Sequence, residues 1–292
     1  MKKPSQITAE GLLVFTTAVW GSTFLIIKLL VSGSIHNAPF ALLTARFVLA
    51  TLLAVLVFRP SRLPNKIEII GGIVIGIAAF CGYAFQTIGL VYTTPAKSGF
   101  ITSLFVLIIP FLSRAWERVK IPFPVYIALV PAAIGLWAIS GVGKSIANIN
   151  PGDSITLLSA FSYAFQIVGI QIYTQRGDWK WLTIFQFAFI AVFSGICLAL
   201  SGDRHIELGF YSLSGIVYLA AFASVLALGV QMFAQRFTTS ARASLIYIAE
   251  PIFAALFAWI AGGQGMKTHE LVGAGLIIVS MFVGRIPAKH VK

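Results

Sequence analysis

Ten stretches of this chain are each long and apolar enough to cross a lipid bilayer, and they leave little over. They cover residues 11–31, 39–58, 68–91, 97–114, 122–141, 153–173, 181–201, 211–233, 241–261 and 268–285. A spanning helix needs about 20 predominantly apolar residues. The ten take up about two thirds of the 292 residues. What remains fits the short connections usual between packed helices, about 2–8 residues, with no room for a soluble domain. Charge agrees with this reading. Only 10% of residues are charged and 58% are hydrophobic, whereas soluble domains are about 25% charged. The expected class is an all-α integral membrane protein with ten transmembrane helices. The first stretch follows Lys2 and Lys3, as a signal peptide would. It is longer than the usual h-region, carries Lys28 and lacks an A-x-A site, so a retained first span is expected.

A net charge of +12 invites a nucleic-acid reading. The placement of the charges argues against it, because Lys and Arg sit singly in gaps between apolar stretches rather than along a phosphate-binding stripe. Their distribution instead sets topology. If the N-terminus is cytoplasmic, 15 of the 21 Lys and Arg lie in inside segments, 4 in outside segments and 2, Lys28 and Arg46, within spans. That bias places both termini inside and calls for an even number of spans.

Thr93-Thr94-Pro95-Ala96-Lys97 returns as Thr238-Thr239-Ser240-Ala241-Arg242, 145 residues later. An internal repeat at half the chain length reads as a duplicated unit. The expected units are residues 1–146 and 147–292. Five spans per unit is an odd number, so the second unit enters the membrane upside down. Inverted five-helix repeats are a transporter arrangement, with the substrate site near the midplane between them.

Charged residues deep in a span cost at least about 2.5–3.5 kcal/mol on insertion scales, so each calls for a partner or a task. At about 1.5 Å per residue, Arg46 lies roughly 12 Å from the outer end of its helix and Glu250 about 14 Å from the inner end of its own. Both are near the centre of a core about 30 Å thick. One reading makes them a structural ion pair, or has each bond separately to exposed backbone carbonyls. The other gives Glu250 a coupling proton and gives the planar fork of Arg46 a substrate carboxylate or phosphate. Lys28 is only about 5 Å from the outer end, close enough for its amine to snorkel. With Lys28 counted or not, the interior is not negative, which favours an anionic or zwitterionic solute.

Polar and aromatic residues within the spans complete the candidate set. Trp20, Tyr83, Gln86, Tyr163, Gln166, Gln186 and Tyr247 join Arg46 as candidate substrate-binding residues, with Gln171 and Gln231 as further buried amides. Tyr163 and Gln166 are three apart and share a helix face. A buried amide also serves as glue between helices. Pro110 and Pro251 are candidate helix breaks, since proline frees the carbonyl four residues back. Lys97 to Pro110 spans 13 residues and Arg242 to Pro251 spans 9, so the prolines are expected at depths about one helical turn apart. Gly72 and Gly76 form a GxxxG packing face. Trp179 and Trp181 suit an interfacial belt.

Other chemistries lack apparatus. Gly141-Val142-Gly143-Lys144-Ser145 imitates the end of a P-loop, but Ala138 stands where the motif needs Gly and no strand precedes it. Cys81 and Cys197 lie within apolar stretches, like small hydrophobes. No metal-ligating or nucleophile–base constellation is present, so no metal, cofactor or enzymatic activity is expected. The expected partners are a small-molecule substrate and the bilayer, with no nucleic acid, for a monomer or weak homodimer.

Several of these residues resemble the EamA family of the drug/metabolite transporter superfamily along nearly the whole chain. The likeness rests on Trp20-Gly21-Ser22-Thr23-Phe24 with Lys28, on Arg46-Phe47, on the run from Gln86 to Phe100 leading to Pro110, and on the run from Glu250 to Trp259. The resemblance implies two inverted five-helix repeats around a central cavity, in a plasma (inner) membrane of bacterial type. It implies export of amino acids, related metabolites or toxic compounds, while other members move vitamins or nucleotide-like solutes. One departure is the stretch 262–265, which lacks the Glu that members often carry after the ninth span; Glu270 follows nearby. The function expected is a secondary transporter exporting small amphipathic metabolites, with proton coupling through Glu250. The alternatives are an importer of a vitamin or nucleotide-like solute and a membrane scaffold or enzyme without transport.

Overall fold

A computed structural model describes residues 4–32, 35–140, 150–262 and 267–286. The P-loop-like stretch, the 146/147 boundary, Gln264, the first three residues and the last six lie outside them. The described chain is helical throughout. The helices are α1 (Gln6–Gly21), α2 (Thr23–Ser32), α3 (Pro39–Phe58), α4 (Lys66–Tyr92), α5 (Pro95–Ser103), α6 (Phe105–Trp116) and α7 (Phe123–Ser140), then α8 (Pro151–Thr174), α9 (Trp179–Leu200), α10 (Phe210–Tyr218), α11 (Ala227–Gln235), α12 (Ser240–Tyr247), α13 (Glu250–Gly262) and α14 (Thr268–Val283). A π-helical segment, Leu219–Leu226, joins α10 to α11.

Local chemistry sets where the helices begin. Asn65 and Glu68 form a capping box on α4, and Asn150 and Asp153 form another on α8. Each satisfies backbone N–H groups that a helix start leaves without partners. Pro39, Pro95 and Pro151 occupy first-turn positions, where a missing N–H costs nothing. Thr94 and Thr239, the second threonine of each repeated phrase, cap α5 and α12 by accepting from the backbone N–H of Lys97 (3.3 Å) and Arg242 (3.2 Å).

Among the described residues, eight helical segments are long and apolar enough to span a membrane, including Gln6–Ser32, Phe210–Gln235 and Ser240–Phe257, each assembled from more than one helix. The fifth and tenth expected spans are shorter apolar helices, α7 and α14. These two pack on each other at their glycines. A Cβ on Gly135 would lie 2.8 Å from the carbonyl oxygen of Gly273, and one on Gly273 would lie 2.7 Å from that of Gly135.

Packing pairs the segments across the chain. α4 lies against α8 and α9, α3 against α9, and α1 against α11, α12 and α13. The GxxxG face meets α9: a Cβ on Gly72 would come within 2.3 Å of Phe185 Cβ, and one on Gly76 within 2.8 Å of Phe189 Cβ. Close approach of this kind supplies the van der Waals contact that replaces the hydrophobic drive in lipid.

The two prolines behave differently. Pro251 has no N–H for the carbonyl of Tyr247, and α12 ends at that residue. Pro110 does not break its span. α6 runs through it, and the discontinuity lies at Leu104, between α5 and α6. The expectation of a helix break at Pro110 is corrected accordingly. Leu104 follows Thr93 by 11 residues, and Ala249, in the turn between α12 and α13, follows Thr238 by 11. One missing hydrogen bond at Pro110 leaves the neighbouring turns of α6 intact, so proline spacing misplaces the break.

Gly72→Ala is expected to cost about 1–3 kcal/mol through overpacking against α9 and to lower the melting temperature in detergent by several degrees. Gly11→Ala, where an added Cβ meets nothing within 4 Å, is the control and should leave it unchanged or slightly raised.

Candidate functional site

A narrow cavity of about 50 Å3 lies in the middle of the bundle, large enough for a few waters, since one water needs about 10–15 Å3 on this measure. Trp20, Arg46, Tyr83, Gln86, Tyr163, Gln166, Tyr247 and Glu250 all line it. So do Thr23, Ile27, Thr102, Phe105, Ile167, Leu228 and Gln231. Seven of the eight candidate substrate-binding residues therefore share one enclosure with the candidate coupling carboxylate.

Gln186 is the exception. It is buried on α9, which contributes nothing to the wall, and neither its amide nitrogen nor its amide oxygen has a hydrogen-bond partner. α9 packs behind α3 and α4, and the rings of Phe187 and Phe47, 5.8 Å apart, fill that interface. Gln171 is also directed elsewhere, donating to the carbonyl of Thr238 (3.0 Å). Pro251 faces a separate, largely apolar groove between α1, α2, α5 and α13.

Arg46 is 3% exposed. Its Nε donates to Ser224 Oγ (2.9 Å), and its guanidinium carbon lies 4.9 Å from the ring centroids of both Phe47 and Tyr83. The π-helical segment makes the first of these contacts available. Ser224 donates its own proton to the carbonyl of Leu219, five residues back (2.9 Å), which leaves its lone pairs for the arginine. The neighbouring Ala223 carbonyl accepts from Trp20 Nε1 (3.1 Å). A widened turn thus anchors a cation and an indole from two other helices. Nothing in the composition of Leu219–Leu226 announces such a turn, so the sequence reading missed Ser224.

No ion pair joins Arg46 to Glu250 or to any other carboxylate among the described residues. Glu250, 8% exposed, is turned to the same cavity with no hydrogen-bonded partner for its carboxyl group among them. The structural-pair reading of these two residues is therefore set aside. Lys28 takes no part in the cavity. Its Nζ donates to the carbonyl oxygens of Leu90 (2.7 Å), Val91 (3.2 Å) and Thr93 (3.0 Å), neutralising the negative end of α4.

The remaining polar groups form two chains. Tyr163 donates to Gln86 Oε1 (3.0 Å), and Gln86 Nε2 donates to Thr102 Oγ1 (3.2 Å). Tyr247, whose ring is 5.6 Å from that of Trp20, donates to Gln235 Oε1 (3.0 Å), and Gln235 Nε2 donates to the carbonyl of Ile167 (2.6 Å). Among the described residues, two groups on the wall are left without partners, the donor Nε2 of Gln166 and the acceptor Oε1 of Gln231. Gln166 was expected from its spacing to Tyr163; Gln231 had appeared only as one buried amide among several.

A multi-pass helical membrane protein that encloses a polar cavity has the construction of a transporter, and comparison with known proteins agrees. A model of the EamA-like transporter family matches residues 8–141 and again residues 150–284, and the chain belongs to that family. An uncharacterised transporter of Archaeoglobus fulgidus is 30% identical over 273 residues, which is 93% of this chain and 83% of that protein. The uncharacterised inner membrane transporter YedA of Escherichia coli K12 is 25% identical over 280 residues, 93% of this chain and 88% of its own. One crystal structure superposes with a TM-score of 0.78 over 98% of this chain and 100% of the other; at 17% identity the likeness concerns the fold alone.

Ser224→Ala strips the arginine of its side-chain acceptor and is expected to cost about 1.5–3 kcal/mol, the range for a hydrogen bond to a charged group. Thermal unfolding in detergent measures it. A loss below about 0.5 kcal/mol would show that the guanidinium finds another acceptor.

Proposed function

We propose that this protein is a secondary active transporter, not an enzyme, that exports small anionic or zwitterionic metabolites, amino acids or related amphipathic compounds, by alternating access. One observation carries the reading: the guanidinium of Arg46 faces the cavity and no carboxylate among the described residues is ion-paired to it. A buried charge is tolerated where it is paired or has a task, and a substrate carboxylate matches the planar fork. The free amide donor of Gln166 adds to that end. The free acceptor of Gln231 and the carboxyl group of Glu250 suit a substrate ammonium. Trp20, Tyr83, Tyr163 and Tyr247 supply apolar wall for the amphipathic remainder.

The architecture proposed is ten membrane-crossing helices in two inverted five-helix units, residues 1–146 and 147–292. The breaks at Leu104, 11 residues after Thr93, and at Ile248–Ala249, 10–11 residues after Thr238, support the duplication. The Lys/Arg bias supports both termini in the cytoplasm, and the inner membrane relative supports that membrane for this chain. The cavity lies within one chain, so the transporting unit is the monomer. Export is the direction implied by the family resemblance, and proton coupling is assigned to Glu250.

Counterflow in proteoliposomes with a panel of anionic, zwitterionic and neutral solutes tests transport and substrate class together. Arg46→Ala should lose anionic and zwitterionic solutes at least about tenfold more than neutral ones, the worth of one charge-assisted contact. An equal loss across the panel would assign Arg46 a structural role. Glu250→Gln should keep exchange but lose uptake driven by a proton gradient into inverted vesicles; retained coupling would remove the carboxylate from the cycle.

A further inference from the structure

The repeated threonine pair does more than start a helix. In each copy the second threonine caps the following helix, at Thr94 and Thr239. The first threonine is then free to reach outward, and in both copies it reaches a buried carboxylate at the start of a helix from the other half. Thr93 Oγ1 donates to Asp153 Oδ1 (2.5 Å) at the beginning of α8, and Lys97 Nζ completes the contact at Oδ2 (3.3 Å). Thr238 Oγ1 donates to Glu10 Oε1 (3.3 Å) near the beginning of α1, and Arg285 completes that contact at Oε2 (2.6 Å). Asp153 is 7% exposed and Glu10 3%. Each carboxylate therefore takes a hydroxyl on one oxygen and a cation on the other.

The clusters sit at opposite ends of the bundle, the first where α4 meets α5 and the second where α11 meets α12. Between them lies a cavity that holds only a few waters, too small for an amino-acid-sized solute.

We propose that Thr93–Asp153–Lys97 is the latch of the outer gate and Thr238–Glu10–Arg285 the latch of the inner gate, one of which parts each time the cavity opens to that side. The proposal rests on the alternating-access reading. Each latch ties the joint inside one half to the first helix of the other, which is where a relative rocking of the halves would separate groups. Partly buried carboxylates paired with one cation and one hydroxyl hold firmly when dry. They lose little when water enters, because water then solvates the separated charges. Such contacts suit a gate better than a permanent apolar seam.

The test reads sidedness without substrate. In a Cys81→Ala/Cys197→Ala background, Ile167→Cys places a single thiol on the cavity wall, and a membrane-impermeant maleimide is applied to right-side-out and inverted vesicles. Glu10→Gln should raise labelling from the cytoplasmic side about tenfold relative to the outer side, a population shift that one charge-assisted hydrogen bond supports. Asp153→Asn should raise labelling from the outer side by a similar factor. Thr238→Val and Thr93→Val should shift it in the same directions by less, and they carry the test if either carboxamide variant does not reach the membrane. Unchanged sidedness, or equal gain from both faces, would show the clusters to be static staples and overturn the proposal. Counterflow on vesicles of the unsubstituted protein separates the outcomes. Transport with unchanged sidedness leaves the carrier reading standing without the latches, whereas absent transport for every solute counts against that reading itself.

Discussion

A guanidinium buried in the middle of a membrane protein organises much of what surrounds it. Arg46 is too far from either end of α3 to reach water, so its N–H groups must be met within the bundle. Ser224 meets one of them because the π-helical segment turns its hydroxyl lone pairs toward α3. Phe47 and Tyr83 present ring faces to the cation, a weaker but useful attraction. No carboxylate closes the account among the described residues, and the cavity keeps a positive wall. Trp20 and Tyr247 are held on the cavity wall by hydrogen bonds to Ala223 and Gln235. Gln86, Tyr163 and Tyr247 on the wall have their polar groups engaged, whereas Gln166 and Gln231 each keep a polar atom without a partner among the described residues.

The same economy governs the backbone. Four of the spans that line the cavity are interrupted, between α1 and α2, α5 and α6, and α12 and α13, and in the π-helical turn before α11. α3, α4 and α8 line it with side chains from continuous helices, and α9, which does not line it, is continuous as well. Irregular backbone is tolerated at membrane depth where protein or a polar cavity satisfies the freed groups. Ser22 and Thr23 do this at the first break, donating to the carbonyls of Val19 (2.7 Å) and Trp20 (2.8 Å).

Much of this was legible in the chain itself. Apolar runs disclose membrane helices because lipid demands them. The capping boxes at Asn65 and Asn150 mark helix starts because orphan N–H groups need local acceptors. Seven candidate binding residues share the cavity because polar groups within apolar spans have few other places to go. Gln186 shows the limit of that rule: the same residue type on α9 packs behind α3 and α4 instead. Pro110 shows another, since a proline marks a lost hydrogen bond but not whether the helix stops. The π-helical turn left no trace in composition, because its register depends on what α1 and α3 require of it.

Composition, charge bias and the doubled threonine phrase by themselves determined a helical membrane protein with related halves and a small set of costly polar residues. Those properties follow from local chemistry and from lipid as a solvent. Only the tertiary structure decided that Lys28 caps α4 rather than entering the cavity, that Arg46 and Glu250 do not pair, and that the first threonine of each phrase crosses to the opposite half. These are contacts between residues 60 to 228 positions apart or absences of such contacts, and their geometry is set by how helices pack, which no local pattern encodes.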